Sequence, residues 1–208
     1  MDLSFTPSEL AFREEVRAWL AANPSDTDPE LFSHDLETRV AAGRRWQRRM
    51  CDAGWVGVGW PKEHGGRGAT LTEEIVFHQE VARAGAPELV NVVGINMLGP
   101  LLIQYGRPDQ KERFLPGILN GDDIWCLGMS EPGAGSDLAS LKTRAVLDGD
   151  EFVISGEKIW SSYASYSSYC FLVVRTDAEL PRHRGISCLA LPMNTPGIQV
   201  RPLVQLHG

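Results

Sequence analysis

The 208-residue chain is short of several things, and each shortage narrows its function. It opens Met1-Asp2-Leu3-Ser4-Phe5, without a basic start or an apolar stretch behind it, so no secretory leader is visible. No run of apolar residues is long enough to cross a bilayer as a helix. Cysteine is sparse: Cys51, Cys126, Cys170 and Cys188 stand far apart with no C-x-x-C. That spacing suits reduced thiols and a cytoplasmic setting better than a disulfide framework or a zinc site. His34, His64, His78, His183 and His207 lack metal-ligand spacing, and no metal is assigned. Positive charge is outnumbered, 20 Lys and Arg against 27 Asp and Glu, which argues against a nucleic-acid surface. Internal repeats and low-complexity tracts are absent. With 43% hydrophobic and 23% charged residues, the composition is that of a globular protein of one large or two small domains.

The patterning changes once along the chain. Up to about residue 120 it is helical. Thr6-Pro7-Ser8-Glu9 is a capping box with proline at the first helical position. Leu10, Val16, Trp19 and Leu20 then form one apolar face, which Asn23-Pro24 ends. A second helix is predicted over Leu36–Ala53, with Leu36, Val40, Trp46 and Met50 inward and Gly54 as its cap. Its Arg44, Arg45, Arg48 and Arg49 read as a solvated basic face. Residues 60–69 form a Gly-rich loop. Thr70-Leu71-Thr72-Glu73 opens a third helix to about Ala84, with Ile75, Val76 and Phe77 facing the core and Val81 following. Val92–Tyr105 reads as a buried helix closed by Gly106, and Pro108 starts a last one ending near Asn120-Gly121.

From Ile124 onward the runs are short and β-like. Ala145–Leu147 and Phe152–Ile154 flank Asp148-Gly149 as a hairpin. Tyr169–Arg175 and Gly185–Leu191 read as further strands. The predicted class is therefore α+β: an all-α domain over 1–122, then a partial antiparallel β-barrel or sandwich over 123–208.

Two motifs carry chemistry. Met129-Ser130-Glu131-Pro132-Gly133-Ala134-Gly135-Ser136-Asp137 is a Gly-rich turn with hydroxyls and bare backbone N–H groups, suited to phosphate oxygens. Gly156-Glu157-Lys158-Ile159-Trp160-Ser161-Ser162 offers an indole to cover a flat heteroaromatic ring and hydroxyls to bond it. A phosphate cradle with a ring platform is what a flavin dinucleotide requires. Glu131 and Asp137 read as turn-stabilising carboxylates rather than a catalytic pair. Tyr163, Tyr166 and Tyr169 read as half-buried strand residues.

This pair of motifs resembles the middle-domain signature of acyl-CoA dehydrogenases. The resemblance extends upstream through Leu98-Gly99-Pro100-Leu101-Leu102-Ile103-Gln104-Tyr105-Gly106, Asp109–Pro116, Gly54-Trp55 and Trp60-Pro61-Lys62-Glu63-His64-Gly65-Gly66, and downstream through Val173–Thr176. It covers nearly the whole chain, in order. What it implies is an FAD enzyme that removes the α-proton and β-hydride of an acyl-CoA, giving a trans-2-enoyl-CoA, with electrons passed to an electron-transfer flavoprotein. Leu127, Met129 and Ser130 are expected along the flavin's pyrimidine side. Gly135 and Ser136 are expected by its pyrophosphate, Ser136 also near the acyl-CoA. Trp160, Ser161 and Ser162 are expected against the ring. Serine stands at 130 and 162 where the family commonly has threonine, so the hydroxyl is kept. Gly94, Asn96, Met97 and Gly99 are candidates to shape the acyl end.

The family continues into a C-terminal four-helix bundle that carries the α-proton base, and no residue here matches that base, so no catalytic residue is assigned. The expectation is an acyl-CoA dehydrogenase or its N-terminal portion, in a homo- or hetero-oligomer. A non-catalytic flavin- or partner-binding subunit and a flavin oxidase or monooxygenase relative remain alternatives. An interrupted sheet exposes edge strands, so the lone chain is expected to be oligomeric or poorly soluble.

Overall fold

The computed structural model describes residues 4–203. It forms two compact units, Met1–Asp122 and Asp123–Gly208.

In the first unit, helix α1 (Pro7–Ala22) starts as its sequence dictates. Glu9 N donates to Thr6 Oγ1 at 3.3 Å, and Thr6 N donates to Glu9 Oε2 at 2.7 Å. Thr70 and Glu73 repeat this reciprocal cap at the head of α3 (Leu71–Arg83). Helix α2 (Leu36–Asp52) is capped by Asp35, and Gly54 follows in the left-handed region at φ 72°. Val16, Leu20, Trp46, Met50, Val76 and Phe77 are buried. Leu10, Leu36 and Ile75 are exposed, contrary to expectation. Ile75, Val76 and Phe77 sweep about 200° of helix, so all three cannot face one core. α1 and α3 are also clamped by charge. The carboxylate of Glu80, only 3% exposed, takes Arg17 Nε at 3.0 Å, Arg83 Nη1 at 2.7 Å and Arg13 Nε at 3.4 Å.

The basic face of α2 is tied off rather than simply solvated. Arg45 pairs with Asp28 and Glu30, Arg48 pairs with Asp122, and Arg44 donates to the carbonyls of Gly121 and Asp122. Arg49 stacks 5.8 Å from the Trp46 ring.

The segment expected as one buried helix departs from α geometry in its middle. Gly94–Leu98 is a π turn, Gly99 N bonding back to Gly94 O, before α4 (Gly99–Tyr105). Pro100 has no N–H to give, and the widened turn sits immediately ahead of it. Gly94, Ile95, Leu98 and Gly99 are buried, but Asn96, Met97, Leu101 and Tyr105 are exposed. Helix α5 (Pro108–Asn120) ends at Gly121, φ 81°. Its last carbonyls are satisfied from the core: Gln47 Nε2 donates to Ile118 O and Leu119 O, and Asn91 Nδ2 to Ile118 O.

In the second unit, β1 (Trp125–Gly128), β2 (Arg144–Asp148), β3 (Glu151–Ser155), β4 (Tyr169–Arg175) and β5 (Ile186–Pro192) make one sheet. β5 runs antiparallel to β4 along its whole length, from Tyr169↔Pro192 to Arg175↔Ile186. Against β4's other edge lies β1, in parallel register with Cys126↔Cys170, then β2 at Arg144↔Arg175. The sheet is thus mixed and open, neither all-antiparallel nor closed. β1 returns to β4 through a long connection that contains the β2–β3 hairpin, which lets the two run the same way. The hairpin turn is Gly149-Asp150, since Asp148 pairs with Glu151, one residue beyond the expected Asp-Gly. Cys126, Ala145, Cys170, Leu172 and Val174 pack as one cluster, and Ala134, Leu141 and Val173 as another.

Candidate functional site

The Gly-rich turn leaves the end of β1. Leu127 lies within β1 opposite Phe171, and Met129 and Ser130 follow it half-buried. The chain then doubles back: Glu131 and Ala134 exchange backbone hydrogen bonds at 2.8 and 3.1 Å around Pro132-Gly133. Gly135 and Ser136 are exposed on the far side. A Cβ at Gly133 or Gly135 would meet nothing within 4 Å, and neither has positive φ. Their lack of a side chain serves neither the turn nor the packing, and leaves bare backbone open to an approaching group.

The second motif is bound to the first by one carboxylate. Glu131, 9% exposed, accepts from Lys142 N at 2.7 Å, Thr143 N at 2.8 Å and Lys158 Nζ at 2.9 Å. Lys158 Nζ also donates to Met129 O at 3.0 Å, and Ile159 N to Ser130 O at 2.9 Å. Burial pushes the Glu131 carboxyl up, but the bonds from Thr143, Lys142 and Lys158 outweigh it and hold the pKa at about 2. Glu131 is therefore a fixed anion with a structural task. Asp137, also expected to stabilise the turn, gives no side-chain cap to the short helical turn Leu138–Ser140 that follows it.

Lys158 and Ile159 set the path into Trp160, which is not on a strand. It is 68% exposed and sits at φ 61°. A bulky residue in the left-handed region is strained, and an exposed indole gains little from burial. Ser162 N bonds to Trp160 O at 2.9 Å; Ser161 is half-buried and Ser162 exposed. Tyr163 (φ 71°) and Tyr166 lie in the turns beyond, and only Tyr169 is on a strand.

Hydrogen bonds thus bring Met129 and Ser130 beside Lys158, Ile159 and the start of Trp160. Among the described residues no such bond joins Gly135 or Ser136 to Trp160–Ser162. The partners of Glu131 were not assigned from sequence. A glutamate within a tight Gly-rich turn is the one signal that a cation lies nearby. Among the described residues no cluster of three or more His, Cys, Asp or Glu could hold a metal, and no helix is long and apolar enough to cross a membrane. His207 lies outside the described residues.

Family models for the acyl-CoA dehydrogenase N-terminal domain and middle domain match residues 6–122 and 126–208. The chain belongs to the acyl-CoA dehydrogenase family. It is 46% identical to acyl-CoA dehydrogenase IpdE1 of Mycobacterium tuberculosis over 95% of its own length and 52% of that protein's. It is 38% identical to acyl-CoA dehydrogenase FadE26 of the same organism over 100% and 53%. Among solved structures, the Tcur3481-Tcur3483 steroid ACAD superposes with a TM-score of 0.84 at 42% identity, covering 100% of this chain and 53% of that one. The ChsE4-ChsE5 complex from Mycobacterium tuberculosis gives 0.83 at 37%, covering 100% and 52%. The chain spans about half the length of the relatives it matches. The helical unit followed by an open mixed sheet is consistent with the fold of this family over the half that the chain spans.

Proposed function

We propose that this chain supplies the flavin-facing half of an FAD-dependent acyl-CoA dehydrogenase that works as a heteromer. The observation that carries the proposal is Trp160: a strained, exposed indole anchored through Lys158 and Ile159 to the turn that bears Ser130. Such an arrangement is costly for the chain alone and useful as a platform for a flat ring. The open backbone at Gly133 and Gly135 fits the pyrophosphate, with the Ser136 hydroxyl beside it and near the acyl-CoA. Leu127, Met129 and Ser130 would bound the pyrimidine side, where backbone N–H groups and the Ser130 hydroxyl donate to ring oxygens and nitrogens. Ser161 and Ser162 would donate from the other motif.

Bound FAD would supply the acceptor for the substrate's β-hydride. The task of this chain's residues is to hold the ring, keep water from one face of it and place donors where negative charge develops. The α-proton base is assigned to no residue of this chain. Two of the similar solved structures carry paired names and one is titled a steroid ACAD, which supports a hetero-oligomer and an acyl thioester of a steroid-derived skeleton. An electron-transfer flavoprotein is the proposed acceptor.

Native mass spectrometry of the protein purified from its own host tests this reading. FAD together with a second polypeptide is the expected result. A bare chain that takes up no added FAD would overturn it. Hydrogen peroxide release during turnover would move the assignment to the oxidase class.

A further inference from the structure

The second unit holds a group of sulfurs that the flavin reading leaves unused. Cys126 on β1 and Cys170 on β4 are register partners of a parallel pair, so their side chains leave the same face of the sheet. They are 0% and 6% exposed and pack in one core cluster. Met193, just beyond β5, brings its Sδ to 4.0 Å from Cys126 Sγ. Ala145, Leu172 and Val174 complete the cluster, with Ala164, Leu189 and Leu191 packed against it. Gly128 belongs to the same arrangement: a Cβ there would come within 2.8 Å of Cys170 Sγ. The same Cβ would lie 3.6 Å from Lys158 Cγ, so the lysine's aliphatic stem flanks this group.

We propose that Cys126, Cys170 and Met193 form a three-sulfur site for a soft monovalent cation of the Cu(I) class. Two thiols and a thioether in an apolar pocket select a soft ion over Mg²⁺ or Ca²⁺, which want oxygen. Zinc wants four ligands in a tetrahedron, and among the described residues this cluster offers three sulfurs. Metal–sulfur bonds of about 2.3 Å in a trigonal plane set the sulfurs about 4.0 Å apart, the spacing already present between Cys126 and Met193. Binding releases the thiol protons, so affinity rises with pH.

The test is anaerobic competition for Cu(I) against bicinchoninate, using the full chain with Cys51→Ser and Cys188→Ser to remove the other thiols. One tightly held Cu(I) per chain is expected, with an X-ray absorption shell of three sulfurs at about 2.3 Å. Cys126→Ser or Cys170→Ser should abolish uptake. Met193→Leu keeps the volume and the fold, and should weaken binding by about tenfold or more. No uptake by the parent protein, a shell dominated by nitrogen or oxygen, or undiminished affinity in Met193→Leu would each overturn the assignment.

Discussion

Lys158 Nζ sits 2.9 Å from Glu131 Oε1 and 3.0 Å from Met129 O, joining two motifs that lie well apart in sequence. Both side chains of the pair are nearly buried, at 10% and 8% exposure. Sequence reading treats the two motifs as separate ligand loops; the ion pair makes them one device.

Lys158→Met should destabilise the chain by about 3 kcal/mol, because it leaves the Glu131 carboxylate buried with only backbone donors. Glu131→Gln should cost less, since it removes the charge together with the need for a counter-ion. Urea unfolding of the two single variants and the double variant measures this. If the double variant is no more stable than the sum of the singles predicts, the latch is not a unit.

Glu131 also sets a pH dependence. Its folded pKa of about 2 lies below the ordinary 4.5, so its contribution is fully present above pH 4.5 and is lost as pH falls toward 2. Wild-type stability should drop across that window more steeply than that of Glu131→Gln. Parallel curves for the two proteins would remove Glu131 as the cause.

Gly99 is pressed against Trp60: a Cβ there would lie 1.8 Å from Trp60 Cζ2. Trp60 is buried and donates from Nε1 to Ile95 O at 3.2 Å, so it cannot swing away freely. Gly99→Ala should cost about 1–3 kcal/mol by overpacking, despite alanine's better helix propensity. A gain in thermal stability would show that the Trp60 ring has room to move.

Thr70→Ala removes one half of the α3 capping box and should cost about 1 kcal/mol, with the loss read in thermal unfolding. This element belongs to the part of the fold that is legible in sequence. Thr6/Glu9 and Thr70/Glu73 act within four residues, so their local signal suffices. The run Tyr169–Arg175 likewise fixes β4, as its β-branched residues have no competing period. What is not legible is non-local. The Cys126↔Cys170 pairing depends on where the chain returns, and no local pattern distinguishes a parallel from an antiparallel partner. Ile75 shows the same limit: its apolar character is local, but the inward arc is claimed by Val76, Phe77 and Glu80. At the site the residue types are legible, while the backbone strain at Trp160 and the role of Lys158 appear only in three dimensions.

Trp160 separates a structural tryptophan from a ligand platform. A core tryptophan cut to glycine would lose on the order of 3–5 kcal/mol. Trp160 is 68% exposed at φ 61°, so Trp160→Gly trades little packing for relief of a left-handed backbone that costs about 1–2 kcal/mol in an L-residue. Glycine's greater freedom in the unfolded chain offsets part of that relief. The flavin-free protein should therefore keep its stability or gain up to about 1 kcal/mol. FAD affinity should fall in the same variant and recover in part in Trp160→Phe, which restores an aromatic face. Equilibrium unfolding without flavin and FAD titration by fluorescence quenching read the two effects independently. A large stability loss with unchanged FAD affinity would make Trp160 a packing residue and remove the observation on which the flavin assignment rests.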